Sequence, residues 1–267
     1  MLWLILCTFW LVSCSDNKSP QWTFKEQIQL NDISPIGIAS DGKNLWLSDP
    51  DKNRVVKTDL KGKILEEIPN LQRPMHIEFS KGKLFVPEYL TDTIPIIENG
   101  RRSFLPLSSK LNAPASIAVD GNTILIADFY NHRIILKKGD KETIIGKEGH
   151  NQGELYYPTD VAIHKDLIYV ADAYNNRIQI FDKQGNSIQV IGEKDNINVA
   201  TGIAVSGEQL FVTDFEGNRV LIYDLDGNLV QVLNNRFDKP ADGCILDNRL
   251  YVASYFNGAI TIFDKRK

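Results

Sequence analysis

Residues 158–179 read PTDVAIHKDLIYVADAYNNRIQ and contain one copy of the pattern that organises this 267-residue chain. The apolar triplet Ile168-Tyr169-Val170 is uninterrupted by polar residues, which is typical of a short strand covered on both faces. Asp172 ends this strand, and Arg177 begins a third strand in which apolar and polar residues alternate. The stretch therefore predicts consecutive antiparallel strands.

The same pattern recurs six times along the chain. Its copies begin 39 to 44 residues apart, at Pro35, Pro74, Pro114, Pro158, Ala200 and Pro240. Four positions later comes a column of mostly small residues: Ala39, Glu78, Ala118, Ala162, Ala204 and Cys244. Turns such as Asp226-Gly227-Asn228 lead into a fourth strand. Four antiparallel strands in about forty residues form a propeller blade, so we expect an all-β fold, a six-bladed β-propeller of four-stranded antiparallel blades.

The repeat resembles a known family. Residues 158–172, followed by Asn175-Asn176-Arg177, are similar to the NHL-repeat consensus, and Gly146-Lys147-Glu148-Gly149 matches the glycine-rich linker that often precedes such a repeat. The third, fourth and fifth copies match well, whereas the second and sixth are degenerate. The resemblance covers about residues 22–264 and implies the propeller fold, but it does not specify a function.

The last copy has three strands and ends near the C-terminus. Residues 22–30, at the other end of the repeats, read as an extra strand, and Gln27-Ile28-Gln29-Leu30 is similar to the fourth strands of other copies. We therefore expect this N-terminal strand to complete the sixth blade and close the ring, which removes an open sheet edge.

The first residues predict export. The apolar run from Leu2 to Val12 is the length of a signal-peptide core, and Leu11-Val12-Ser13-Cys14 resembles the lipobox of bacterial lipoproteins, although no Lys or Arg precedes the run. The resemblance implies lipidation at Cys14. The alternative is a buried N-terminal helix with a chance cysteine, for which an all-β repeat array offers no place.

The predicted organisation is therefore a signal peptide at 1–13, a lipidated tether at 14–21 and the propeller at 22–267. Acyl chains hold a protein on a membrane without a spanning helix, so we expect a location in the bacterial cell envelope. Ser15 rather than Asp follows Cys14, which slightly favours the outer membrane. Cys244 would be the one cysteine of the mature propeller without a lipid, and we expect it to be a small buried hydrophobe.

Two polar columns recur in most copies. Four copies carry an acid at the end of the second strand and an arginine five residues later, and the two copies without the arginine also change the acid, to Glu88 and Ser254. Because the positions change together, we expect a structural ion pair in each of the four copies. The pairs are Asp49 with Arg54, Asp128 with Arg133, Asp172 with Arg177, and Asp214 with Arg219.

One metal site is a candidate. His76, Asp160 and Asp242 each lie two residues after a repeat start, on alternate copies, and we expect them at the mouth of the central channel. Side chains of these types could hold a divalent cation, either Ca²⁺ or Zn²⁺, as related six-bladed propellers do. Asp is also ordinary at this position of the repeat, where it stabilises a turn.

Aromatic residues follow the acid column. They are Tyr89, Phe129, Tyr130, Tyr174, Phe215, Tyr255 and Phe256, and they are expected on the same rim as the candidate metal site. Either they form a binding surface for a protein, peptide or glycan, or they pack between neighbouring blades.

Two classes of function remain open. The first is a membrane-anchored binding or scaffold module that uses this rim; the second is a metal-assisted lyase or hydrolase at the channel mouth. The binding module is favoured, because no residue set typical of catalysis stands out and we assign no catalytic residue. The net charge of −4 and pI of about 5.6 argue against nucleic acid as a partner.

Overall fold

The computed structural model describes residues 21–266, which form six four-stranded antiparallel sheets. Each sheet is one blade of a β-propeller, so the predicted fold and blade number are confirmed. Cys14 and the predicted signal peptide lie outside the described residues. Among the residues that are described, no helix is long and apolar enough to cross a membrane.

Five blades are formed by consecutive strands, from the inside of the ring outwards. Blade 1 contains β2 (Gly37–Ser40), β3 (Leu45–Asp49), β4 (Arg54–Thr58) and β5 (Ile64–Ile68). Blade 2 contains β6 (Glu78–Ser80), β7 (Lys83–Phe85), β8 (Pro95–Glu98) and β9 (Arg101–Phe104). Blade 3 contains β10 (Pro114–Asp120), β11 (Thr123–Asp128), β12 (Arg133–Lys138) and β13 (Lys141–Ile145). Blade 4 contains β14 (Pro158–His164), β15 (Leu167–Asp172), β16 (Arg177–Asp182) and β17 (Ser187–Ile191). Blade 5 contains β18 (Ala200–Ser206), β19 (Gln209–Asp214), β20 (Arg219–Asp224) and β21 (Leu229–Leu233).

The sixth blade joins the two ends of the described chain. It contains β22 (Pro240–Leu246), β23 (Arg249–Ser254), β24 (Ala259–Lys265) and, on its outer edge, β1 (Trp22–Gln29). Strand β1 runs antiparallel to β24, from Trp22 opposite Lys265 to Gln29 opposite Ala259. The N-terminal strand thus closes the ring, as the sequence predicts.

The hydrophobic core lies between the faces of neighbouring blades. Leu125 and Leu136 of blade 3 share a buried cluster with Ile168 and Phe181 of blade 4, and similar clusters join the other blades. Both faces of the middle strands are covered, which explains their continuous apolar triplets. The inner strands are left to form the wall of the central channel.

Two rims follow from this arrangement. The loops between the second and third strands of each blade lie at one end of the channel, which we call the aromatic rim because it carries the aromatic residues that follow the acid column. Strand β1 reaches this rim at its C-terminal end, because Leu30 donates a backbone hydrogen bond to Gly258 in the loop after Tyr255 and Phe256. The described chain therefore begins at the opposite rim.

Candidate functional site

Three buried side chains meet in the central channel. His76, Asp160 and Asp242 come from blades 2, 4 and 6 and are only 4 to 5% exposed. The Nδ1 atom of His76 lies 3.7 Å from Asp160 Oδ2 and 3.6 Å from Asp242 Oδ2, and the ligand atoms of all three lie within 4.8 Å of one another. We call these residues the channel triad. In the structure the three side chains converge inside the channel, and His76 also lines a cavity at the channel mouth.

Backbone groups hold both carboxylates of the triad in place. Asp160 accepts hydrogen bonds from the backbone N–H groups of Val161, at 2.8 Å, and of Ile203 in blade 5, at 2.7 Å. It also accepts one from the hydroxyl of Ser116 in blade 3. Because Asp160 joins three neighbouring blades, it contributes to the ring as well as to the triad.

Asp242 has the same double role. It accepts hydrogen bonds from the backbone N–H groups of Gly243, at 2.7 Å, and of Ile38 in blade 1, at 2.9 Å. Gly202 lets the neighbouring strand approach closely, since a Cβ there would lie 2.6 Å from the carbonyl oxygen of Ala241 and 2.8 Å from the Cα of Asp242. The positions of both carboxylates are therefore fixed by the backbone before any ligand binds.

His76 is less well satisfied. Its backbone N–H donates to the carbonyl of Ala115, but its buried Nδ1 has no hydrogen-bond partner among the described residues. Burial alone would lower the pKa of His76, but the carboxylates of Asp242 and Asp160 outweigh that effect and raise it to about 9. Burial also raises the pKa of Asp242, and the Asp160 charge adds to this although His76 opposes it. A divalent cation between the three groups would satisfy Nδ1 and neutralise the carboxylates, so the residues fit such an ion.

Glu78 and Cys244 lie next to the triad, one layer further along the channel. Both line a cavity of about 370 Å³ that also contacts the triad. Burial and then the negative charges of Asp160 and Asp242 raise the pKa of Glu78 to about 8. Burial likewise raises the pKa of Cys244. Cys244 packs against the hydrophobic cluster between blades 6 and 1, but it is less buried than the sequence predicts, because it also lines this cavity.

Sequence reasoning gave Glu78 no role. It occupies the column of small residues that faces the channel, in which the other blades place alanine or Cys244. The signal was available, because strand residues two apart point to the same side, so an acid two residues after His76 faces the same channel.

A second cavity opens on the aromatic rim. Its volume is about 320 Å³, and its lining includes His76 at the inner end and aromatic residues from four blades: Tyr89, Phe129, Tyr174 and Phe215. We call it the mouth cavity. His76 contacts both cavities, so the channel triad separates the mouth cavity from the larger cavity below.

The rim aromatics contact one another as well as solvent. Tyr89 and Tyr130, on neighbouring blades, share a hydrogen bond of 2.6 Å between their hydroxyls, and the Phe129 ring lies 6.1 Å from that of Tyr89. Tyr130, Tyr174 and Phe256 nevertheless remain 46, 54 and 64% exposed. The two sequence interpretations are therefore compatible, since these rings pack between blades and still present an apolar surface.

This surface has two parts. Phe215, Tyr255 and Phe256 form a smaller group on blades 5 and 6. The larger group includes Tyr156 and Tyr157, whose rings are 4.6 Å apart and which sequence reasoning did not select. They precede the start of the fourth repeat, and no position in the other copies marks them as aromatic.

The paired columns form the expected contacts near the same rim. Each arginine donates from Nε to its aspartate, at 3.0 Å for Arg54 and Asp49, 2.7 Å for Arg133 and Asp128, 2.9 Å for Arg177 and Asp172, and 2.7 Å for Arg219 and Asp214. The guanidinium also donates to loop carbonyls, as Arg219 does to Asp195 and Asn196. The pairs thus attach each loop between blades to the following blade.

Comparison with known proteins agrees with the fold. A family model described as a 6-bladed beta-propeller matches residues 143–259, and an NHL-repeat model matches residues 111–135. No curated protein sequence matches the chain.

Three solved structures illustrate the range of similar propellers. A gluconolactonase from Xanthomonas campestris has a TM-score of 0.74 at 15% identity and covers 90% of this chain and 89% of its own. Virginiamycin B lyase from Staphylococcus aureus has a TM-score of 0.67 at 17% identity and covers 92% and 100%. A nidogen–laminin complex has a TM-score of 0.64 at 18% identity and covers 75% and 80%. At these identities the similarity supports the fold alone: the chain is a six-bladed β-propeller, and one segment of it, residues 111–135, matches the NHL repeat.

Proposed function

We propose that the protein is a membrane-anchored binding module that uses the aromatic rim to hold a protein or peptide partner. The observation that carries the proposal is that five of the six blades place an aromatic side chain around one channel mouth. Blade 1 is the exception, with Pro50 and Asp51 at the corresponding positions. Clustered aromatic residues supply large contact area at low entropic cost and are enriched where proteins bind each other.

The position of the chain's first described residues supports this arrangement. Strand β1 begins at the rim opposite the aromatic one, so a lipid on Cys14 would attach the protein from that opposite side. Seven residues, 14–20, span at most about 25 Å when extended. An anchor of this kind would hold the aromatic rim away from the bilayer, where a partner could reach it.

The anchor has its own test. In the bacterium that makes the protein, Cys14→Ser should move the chain from the membrane fraction to the soluble fraction and abolish incorporation of labelled palmitate. An unchanged distribution would show that the cysteine is not the anchor.

Partner binding is tested by removing the rim aromatics. Tyr89→Ala, Tyr174→Ala and Tyr255→Ala are combined, and the partner recovered from envelope extracts by wild type is quantified. The matched control combines Leu65→Ala, Phe104→Ala and Ile188→Ala, which are exposed apolar residues on outer strands. We expect at least a tenfold loss with the rim variant alone. Equal recovery with both variants would contradict the proposal.

A second function is favoured by the unsatisfied Nδ1 of His76. The channel triad could hold a divalent cation for a metal-assisted lyase or hydrolase, in which the ion would polarise a substrate oxygen or activate water. A histidine with two carboxylates suits Zn²⁺ better than Ca²⁺, which prefers six to eight oxygens. Lyases and a gluconolactonase share the fold, and one solved lyase structure is a catalytically inactive histidine-to-alanine variant.

Elemental analysis separates the two functions. One equivalent of metal in purified wild type, absent from His76→Ala and Asp242→Asn but retained in the outer-strand control, would favour the enzyme. Metal-free wild type that keeps full stability and partner binding would count against it.

A further inference from the structure

Arg73 has an unused guanidinium at the mouth cavity. It lies in the lining, and its Cζ is 5.2 Å from the centre of the Tyr89 ring. Its guanidinium makes no ion pair and no hydrogen bond with the described residues. A guanidinium carries five N–H donors in a planar fork that matches a carboxylate. Arg73 is therefore available to bind an anion beside an aromatic wall.

The backbone of Arg73 is fixed on both sides. Its N–H donates to the side chain of Asn53 at 2.8 Å, and its carbonyl accepts from the N–H of Tyr89 at 3.1 Å. The backbone of Arg73 is therefore ordered, and its exposed side chain extends beside the Tyr89 ring.

The other charges near the mouth already have partners. Glu216, the one acid in the lining, pairs with Lys239 at 2.5 Å. Asp51 accepts a hydrogen bond of 2.7 Å from the hydroxyl of Tyr255. Within the lining of the mouth cavity, Arg73 is thus the charged side chain without a counter-ion among the described residues, which favours a negatively charged ligand.

The rest of the lining favours an apolar body. Ile36, Met75 and Val199 contribute aliphatic surface alongside the aromatic rings. The hydroxyls of Thr159 and Thr201 already donate to backbone carbonyls, at 2.9 and 3.3 Å. Few free polar groups remain for the hydroxyls of a sugar.

The inner end of the mouth cavity is closed. The channel triad meets across the channel behind it, so a chain cannot pass through and only a chain end can enter. A volume of about 320 Å³ is at the lower end for a small-ligand pocket and suits one or two residues. An end that carries a carboxylate meets Arg73, whereas an amino end would be repelled by it.

We infer that the mouth cavity binds the carboxyl-terminal end of a peptide or protein, with the carboxylate on Arg73 and an apolar or aromatic last side chain packed against Tyr89 and Phe129. This rests on the proposed function, since it names the part of a partner that the aromatic rim would receive. The last side chain contributes burial and ring stacking, and the carboxylate contributes charge-assisted hydrogen bonds.

The test uses calorimetry on the full chain to compare the binding of two peptides that differ only in the chemical form of the carboxyl terminus. The probes are N-acetyl-Gly-Gly-Phe as the free acid and as the amide. In wild type we expect the acid to bind at least tenfold more tightly than the amide. Arg73→Gln should reduce this preference to within twofold. Arg101→Gln, an exposed arginine on outer strand β9, is the matched control and should keep the preference. Thermal melting verifies that both variants fold.

Each contrary result has a separate meaning. Equal binding of acid and amide, or a preference that survives Arg73→Gln, overturns the inference. Binding of galacturonic acid that depends on Arg73, without binding of the tripeptide acid, overturns it in favour of an acidic glycan. If the rim tyrosines are needed for the partner but neither small probe binds, this inference fails and the proposed function stands. If the tripeptide binds through Arg73 but the rim variant keeps its partner, the proposed function fails instead.

Discussion

His132 is of a residue type that is common in functional sites, but in this protein it has a structural role. Its Nδ1 accepts a 3.0 Å hydrogen bond from the backbone N–H of Tyr157, so a neutral ring must carry its proton on Nε2. In four of the other blades a shorter side chain accepts the corresponding bond from the residue before the repeat start. These acceptors are Asn53, Asp92, Asn176 and Asn218. His132 is therefore a variant of an asparagine position.

This equivalence predicts the effect of substitution. His132→Ala leaves the Tyr157 N–H without its partner and should cost about 1–3 kcal/mol of unfolding free energy. His132→Asn restores an acceptor that three other blades use and should cost clearly less, although it loses the stacking on Tyr156. Urea denaturation of both variants checks the order. Equal losses would show that the ring, rather than the hydrogen bond, matters.

Glu78 predicts a dependence of stability on pH. Its pKa is raised from 4.5 to about 8 in the fold, so the folded state binds the proton more tightly than the unfolded chain does. Stability from this group is complete below about pH 4.5 and is lost as the pH rises toward 8. Glu78→Gln cannot lose a proton and should escape this loss.

We therefore expect chelator-treated Glu78→Gln to match wild type at pH 4.5 and to melt a few degrees higher at pH 9, since about 1 kcal/mol shifts the melting temperature of a domain this size by about 2–4 °C. Melting curves across this pH range, recorded by circular dichroism, are the measurement. Glu98→Gln, on the third strand of the same blade, is the control. A difference between Glu78→Gln and wild type that does not change with pH would exclude the explanation.

At the scale of the element, the repeat predicts the strands well because the apolar pattern of each strand reflects how neighbouring blades cover it. Middle strands are continuously apolar because neighbouring blades cover both faces, whereas Leu229–Leu233 forms an outer edge and is buried only at its last residue. The depth of the channel triad could not be read in the same way. It depends on how far the loops before the inner strands extend past His76, and those loops carry no repeated pattern.

The candidate site was predicted only in part, for a related reason. Positions that recur, such as Asp160 and Tyr89, can be aligned and placed on one rim. Arg73 and Tyr157 both precede a repeat start, but their counterparts are Ser34, Ala113, Val199 and Lys239. No shared chemistry therefore marks this position. A ring of dissimilar residues becomes a site only when the blades are assembled.

The role of the ion pairs can be tested by giving blade 4 the residues that blade 6 has at the same positions. Arg177 and Asp172 are both buried, and removal of one partner from a buried pair costs about 3–5 kcal/mol. Arg177→Ala should show a loss of this size. Asp172→Ser combined with Arg177→Ala reproduces the residues of blade 6, Ser254 and Ala259, and leaves no unpaired buried charge, since Glu193, the other partner of Arg177, is exposed.

The double variant should therefore be more stable than the single one, despite the additional change. Guanidinium denaturation of both proteins gives the comparison. If the double variant loses more than Arg177→Ala, the hydrogen bonds that Asp172 accepts from the Tyr156 backbone and from the side chains of Asn175 and Gln179 contribute more than its unpaired charge costs.

For the whole molecule, stability depends on a closure made by one strand from far away in sequence. Trp22 is buried against Phe211 of blade 5, with ring centres 5.2 Å apart, and its Nε1 donates to Gln209 at 3.1 Å. Gln231 donates to the Trp22 carbonyl at 2.7 Å. Strand β1 thus binds blade 5 as well as β24, and it covers an edge that would otherwise be open.

Removal of this strand should affect the whole ring. A chain that begins at residue 31 should lose cooperative melting or aggregate, because β24 becomes an exposed edge and the buried Trp22 site is left empty. A chain that begins at residue 21 keeps β1 and is the control. Addition of a peptide of residues 21–30 should restore the melting transition of the shorter chain, since an extended peptide can pair with a free sheet edge. If both chains had the same melting temperature without peptide, the ring would be held closed by the other five blades. Strand β1 would then add an edge strand to the sixth blade without stabilising the ring.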